Sequence, residues 1–236
     1  MKSIFIASSI ATILAISFII FLVHRMHKEW LWKLWPFFLL ALPCSYLAYT
    51  YVRLPLDGII RTALHVNLYS LPIPLPYILL TGLYAPLTEE LIKLFPLVIP
   101  SLNRMVDRTT CAAVAMIIGL GFGIGEMWLV AYWLSHDPSV VAYHWYQLGG
   151  FIFERCISCF CHGIFTAVAL FGIKRKCFQF ILYAMGLHAL SNFPVILHSA
   201  GLLRISSDLF NNLVFGYLLA FTICLCFLLN KLRQEI

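Results

Sequence analysis

Of 236 residues, 62% are hydrophobic and 11% are charged, with a formal net charge of +6 and a mean hydropathy of +0.91. Soluble domains run about 45–50% apolar and about 25% charged. The composition therefore excludes a soluble globular enzyme, a nucleic-acid-binding module and a disordered tail. The length suits one domain, read here as a single integral-membrane unit over residues 1–236.

A spanning helix needs roughly 20 mostly apolar residues. The sequence predicts an all-α polytopic bundle of about seven spans, at about 3–23, 34–52, 74–99, 111–134, 148–172, 177–198 and 209–230. The first is too long for the h-region of a cleaved signal peptide, and its stronger positive flank follows it. The third contains Pro74, Pro76, Pro86 and Pro96 and is expected to be kinked or broken, which a membrane tolerates where protein covers the freed backbone groups. Segments 53–72 and 135–147 are read as the longest loops, neither large enough to fold alone. Any chemistry is therefore expected inside the bundle, with the core at about 74–198.

Short-loop Lys and Arg set the orientation. Ten fall on one side (Arg25, Lys28, Lys33, Arg104, Arg108, Lys174, Arg175, Lys176, Lys231, Arg233) and four on the other (Lys2, Arg53, Arg61, Arg204). This places the N-terminus outside and the C-terminus in the cytoplasm. Trp30, Trp32 and Trp35 at one boundary, and Trp145 and Tyr146 at another, fit interfacial belts. The eight cysteines lie in or at the ends of spans, so an exported disulfide framework is not expected. Cys156, Cys159, Cys161 and His162 are read as packing residues rather than a zinc site, since Cys161 leaves the face that Cys159 and His162 share.

The informative residues are charges inside the spans, each costing at least ~2.5–3.5 kcal/mol near a helix centre. In chain order they are Glu89, Glu90 and Lys93, then Glu126, then Glu154, Arg155 and His162, then His188. Counted from the presumed cytoplasmic ends, Glu90, His162 and His188 lie roughly 14–17 Å deep and Glu126 roughly 22 Å. Carboxylates and imidazoles at comparable depth on four helices point to a shared polar pocket. Glu89 and Lys93 fall at i, i+4, which predicts an ion pair, with Lys93 also placed to snorkel. Around Glu126, the pairs Gly119/Gly123 and Gly121/Gly125 are small-xxx-small steps that allow close helix approach.

Glu89-Glu90-Leu-Ile-Lys93 matches EExxK, Phe122-Gly-Ile-Gly-Glu126 matches FxxxE, His162-Gly-Ile-Phe-Thr166 matches HxxxT, and His188-Ala-Leu-Ser-Asn192 matches HxxxN. In this order on successive spans, the set resembles the PrsW family of intramembrane proteases, related to the CPBP group that includes the type II CAAX prenyl endopeptidases. The CAAX-type enzymes carry EExxxR and FxxxH at the first two places, so PrsW is the nearer pattern, while the terminal HxxxN is nearer the CAAX type. The resemblance covers about residues 84–192. It implies hydrolysis of a peptide bond in a membrane-anchored protein or peptide, such as an anti-sigma factor, in a bacterial or archaeal plasma membrane. The bilayer is the other expected partner, and no nucleic acid is expected.

On this reading Glu89 is the candidate general base, coupled in its titration to Glu90. His188 and Asn192 are candidates to hold the oxyanion, and His162 and Glu126 to orient the water. Lys93, Phe122, Thr166 and Arg155 are expected to support them. A metal-free mechanism is favoured, with zinc as the alternative. A zinc ion would draw on His162, His188, Glu126 and Glu89, although no HExxH is present. Each group also has a structural reading: an ion pair for Glu89 and Lys93, a packing carboxyl for Glu126, buried satisfied rings for the two histidines, and gating contacts for Glu154 and Arg155. Two other functions use the same residues: a proton- or ion-coupled transporter, for which no internal repeat is visible, and a non-catalytic membrane scaffold.

Overall fold

The computed structural model describes residues 2–26, 31–67, 74–107, 109–199, 201–203 and 206–234. Lys28, Arg108 and Arg204, which entered the charge count, and Trp30 of the aromatic belt lie outside the described residues. The described residues are mostly helical, without a strand. Among the described residues, six helices are long and apolar enough to cross a membrane, and the expected third span at 74–99 is not one of them.

Helix α1 (Ser3–Met26) is the first span, and the second runs from Trp32 to Ala63 with a turn at residues 42–43. That span is made of α2 (Trp35–Ala41), α3 (Cys44–Leu47), a π-helical stretch (Ala48–Arg53) and α4 (Leu54–Ala63). The expected loop at 53–72 is thus helical over its first part. Pro55 follows the π-helical stretch without a gap, so it gives the carbonyls of the preceding turn no N–H to accept, and Arg53, Asp57 and Arg61 recur at i, i+4, i+8 on one face. Helix α5 (Leu75–Ile92) follows. It stops at Ile92 rather than reaching residue 99, because the Pro96 ring would clash with the carbonyl four residues earlier. Phe95–Val98 tighten into a 3-10 turn before α6 (Pro100–Met105).

Helix α7 (Cys111–Leu134) is the axis of the bundle, buried almost continuously from Cys111 to Ile124. Its two glycine pairs face opposite neighbours. A Cβ on Gly119 would lie 2.2 Å from the Gly163 nitrogen, and one on Gly123 would lie 2.9 Å from Cys159 Cα. On the other side, a Cβ on Gly121 would lie 2.5 Å from the Phe38 carbonyl oxygen and one on Gly125 2.0 Å from that of Leu42. Lipid tails are as apolar as leucine, so helices in a bilayer associate through close packing. Here the glycines clamp α7 between α9 and the second span. Helix α1 adds a small-residue seam, burying Ala7, Ala11, Ala15, Ile19 and Val23 against α7 and α9.

After the short α8 (Pro138–Val141), α9 (Gly149–Lys174), α10 (Gln179–Ser199) and α11 (Ser207–Gln234) close the bundle. The second half of α9 is buried from Cys159 to Gly172. Helix α10 packs on α5 and α9, and α11 lies outermost against α9. Pro194, inside α10, gives the Leu190 carbonyl no N–H partner four residues on. The Tyr217 hydroxyl of α11 donates to that carbonyl at 2.6 Å, which ties the two helices at the break. All eight cysteines are free thiols.

Candidate active site

The expected polar residues converge where α5, α7, α9 and α10 meet. Glu89, Glu90 and Lys93 come from the last turn of α5, Glu126 from α7, His162 from α9 and His188 from α10. Glu90 and Lys93 are fully buried, and Glu89, His162 and His188 are nearly so. Few residues in a membrane are worth that desolvation without a paired arrangement, and here the pairing is extensive.

Glu90 Oε1 accepts twice, from Lys93 Nζ at 2.5 Å and from His188 Nδ1–H at 2.7 Å. Lys93 Nζ also lies 2.7 Å from His162 Nδ1. An ammonium has only donors, so His162 Nδ1 accepts and His162 Nε2–H donates to Glu126 Oε2, at 2.9 Å. The ammonium further faces the Phe122 ring, 4.6 Å from its centroid, and Phe122 meets His162 edge-on at 5.1 Å. The motif residue Phe122 is therefore a wall of the lysine's cage.

The expected Glu89–Lys93 pair does not form. Lys93 caps α5 where the helix ends, and its side chain turns inward to Glu90 instead of snorkelling. Glu89 is held by Arg53 of the second span, whose Nη1 donates to Glu89 Oε1 at 2.6 Å. In the sequence Arg53 reads as a loop flank, by its position after an apolar run. The signal that places it is the spacing Arg53, Asp57, Arg61, a helical face. Glu89 Oε2 and Glu90 Oε2 are buried with no hydrogen-bond partner among the described residues. Glu89 Oε2 faces His188 Nε2 at 3.6 Å.

A cavity of about 510 Å³ opens onto this cluster. Thr81 and Ala85 of α5, Ser158 and His162 of α9, Asn192 of α10 and Leu218 of α11 line it. It extends from the two histidines toward the end of the bundle where α5 and α9 begin, and Arg53, Glu154 and Arg155 lie along it. Arg155 pairs with Glu154 and stands 3.8 Å from Glu126. Asn192 is thus at the cavity, whereas Thr166 spends its hydroxyl on the His162 carbonyl, at 2.8 Å within its own helix. Cys159 packs on Gly123, as a small apolar residue does.

Glu90, His162 and His188 offer ligand atoms within 4.8 Å of one another. This set differs from the one expected for zinc. Glu90 supplies the carboxylate, while Glu126 and Glu89 stand behind His162 and His188 at their far nitrogens. A family model described as the PrsW family intramembrane metalloprotease matches residues 51–227. The chain belongs to the PrsW family. No curated protein and no solved structure matches it. Membership in PrsW makes the chain a multi-pass intramembrane protease, and the matched stretch spans Arg53 as well as the four motif helices. The cavity and the buried carboxylates beside its two histidines are accordingly the candidate active site of this PrsW protein.

Proposed function

We propose that the chain hydrolyses a peptide bond of a membrane-anchored protein with a water activated by Glu89. One observation carries this reading: Glu89 has one carboxylate oxygen anchored by Arg53 and the other buried without a hydrogen-bond partner among the described residues, 3.6 Å from His188, which lines the cavity. In the proposed step, Glu89 Oε2 takes a proton from water as the oxygen attacks the scissile carbonyl. His188 holds Glu90 through Nδ1–H and, when doubly protonated, offers Nε2–H to the oxyanion. Asn192 adds an amide donor. Glu89 then returns the proton to the departing nitrogen as the C–N bond breaks, leaving a carboxylic acid and an amine. Such acid–base work contributes about 10²–10⁴-fold, and oxyanion donors about 10²–10³-fold each.

Zinc is the second reading, favoured by the ligand cluster and by the family's description as a metalloprotease. The donors fit by type: two imidazoles and a carboxylate, with a further carboxylate behind each imidazole. Glu90, His162 and His188 would hold the ion, which when bound would polarise the carbonyl and acidify a water. Lys93 stands among these donors and already supplies a positive charge to two of them. That favours the metal-free reading, in which the lysine orients Glu90 and His162. The orientation with the N-terminus outside would open the cavity toward the non-cytoplasmic half of the membrane, and a bacterial or archaeal cell membrane with a regulatory substrate follows from the family pattern.

The test is cleavage of tagged single-pass substrates by full-length protein in liposomes. Glu89→Gln is expected to abolish cleavage that the wild type performs. Cleavage that persists in Glu89→Gln overturns the role of Glu89. An ion flux that requires Glu89, with no substrate cut, favours the transporter.

A further inference from the structure

We infer that Arg53 is a positioning residue for catalysis, set on its target by the π-helical stretch that precedes it; this rests on the reading of Glu89 as base. The geometry has three parts. First, the guanidinium takes Glu89 Oε1 at 2.6 Å. Bonding to one oxygen restrains the carboxylate and leaves Oε2 facing His188 Nε2 at 3.6 Å, with His188 lining the cavity. An Arg–carboxylate hydrogen bond is charge-assisted and strong; the Glu89 side chain is 5% exposed and that of Arg53 31%, so solvent screens the carboxylate end little and the guanidinium end in part.

Second, Arg53 closes a six-residue π-helical run, Ala48–Arg53. A π turn holds one residue more than an α turn, which offsets the helix beyond it by about 100°. The offset turns Arg53, Asp57 and Arg61 together toward α5. Single π turns within α-helices occur frequently at functional sites.

Third, the base of the arm is anchored independently. Asp57 accepts from the Tyr77 hydroxyl of α5 at 2.6 Å and pairs with Arg61 at 2.6 Å. The Arg53 guanidinium carbon lies 5.9 Å from the Tyr49 ring centroid, and its Nε donates to nothing among the described residues. Among the described residues the side chain therefore has one ionic partner, the carboxylate that the mechanism uses. No residue of α4 is buried, so core packing does not account for the arm's position.

The test uses full-length protein in liposomes and two readouts. In the cleavage assay, Arg53→Gln is expected to lower kcat by about 10²-fold with KM changed less than about twofold, the loss expected when a base is misplaced. Arg53→Lys is expected to recover at least about tenfold of that, because an ammonium restores one charge-assisted bond. Asp57→Asn, which loosens α4 without touching Glu89, is expected to retain near-wild-type kcat. The second readout needs no activity. Dicyclohexylcarbodiimide labels protonated carboxyls in apolar surroundings, and peptide mass spectrometry is expected to find Glu89 labelled several-fold faster in Arg53→Gln than in wild type. Unchanged labelling, or full-rate cleavage by Arg53→Gln, overturns the inference while the protease reading stands. An Asp57→Asn loss equal to that of Arg53→Gln also overturns it, reducing Arg53 to a helix-docking contact. Wild-type protein that cleaves nothing overturns the protease reading instead, and the labelling ratio alone then decides whether Arg53 holds Glu89.

Discussion

Lys93 Nζ lies 2.7 Å from His162 Nδ1, inside the space that three metal-type ligands share. A side-chain ammonium and a divalent ion cannot both hold that position. Lys93→Met should therefore separate the two mechanisms. In the metal-free case, wild-type protein purified after dialysis against chelator keeps its activity and carries well under one zinc per chain. Lys93→Met then loses activity and gains zinc affinity, since Glu90, His162 and His188 remain without their cation. Stoichiometric zinc in the wild type, lost together with activity on chelation, would sink the metal-free version.

Gly119 and Gly186 form a matched pair for testing how α7 is held. A Cβ at Gly119 has backbone of α9 at 2.2 Å, while one at Gly186 of α10 has nothing within 4 Å. Gly119→Ala is expected to destabilise the fold by about 1–3 kcal/mol, the usual cost of overpacking. Gly186→Ala is expected to be neutral or mildly stabilising by up to about 1 kcal/mol, through helix propensity. Thermal unfolding in one detergent decides. Equal behaviour of the two variants would refute the clamp.

Tyr217→Phe removes the donor to the Leu190 carbonyl that Pro194 leaves without a helical partner. The expected loss is about 1 kcal/mol, with faster amide exchange confined to α10 after Leu190 and to the facing turn of α11. A uniform change across the bundle would argue against this local account.

Much of the site could be read from residue type alone. Glu90, Glu126, His162 and His188 stand out because a long apolar run has no other use for them, and all four meet within one cluster. Their pairings were less legible. Sequence spacing favours Glu89 with Lys93 at i, i+4, but a helix that ends at Ile92 releases Lys93 to turn inward, and nothing within α5 announces Arg53. Arg53 reads as a flank because hydropathy falls there, while the helix itself continues to Ala63. The third span ends earlier than its composition suggests for a related reason: apolar residues run past Ile92 to residue 99, and only the reach of the Pro96 ring back to residue 92 marks the end. The glycine pairs around Glu126 were read for what they do, because close approach depends on side-chain size and spacing, both of which are written in the sequence.

The π-helical run from Ala48 to Arg53 gives this part of the chain an unusual mutational profile. Its length is under tighter constraint than its composition. Substitutions at Tyr51 or Val52, both exposed, leave the register intact. Deleting one residue between positions 48 and 52 would restore α-helical register and swing everything beyond it about 100° around the helix axis. Arg53, Asp57 and Arg61 would then leave α5 together, although each remains in the chain. Single-residue deletions here should inactivate where multiple substitutions do not.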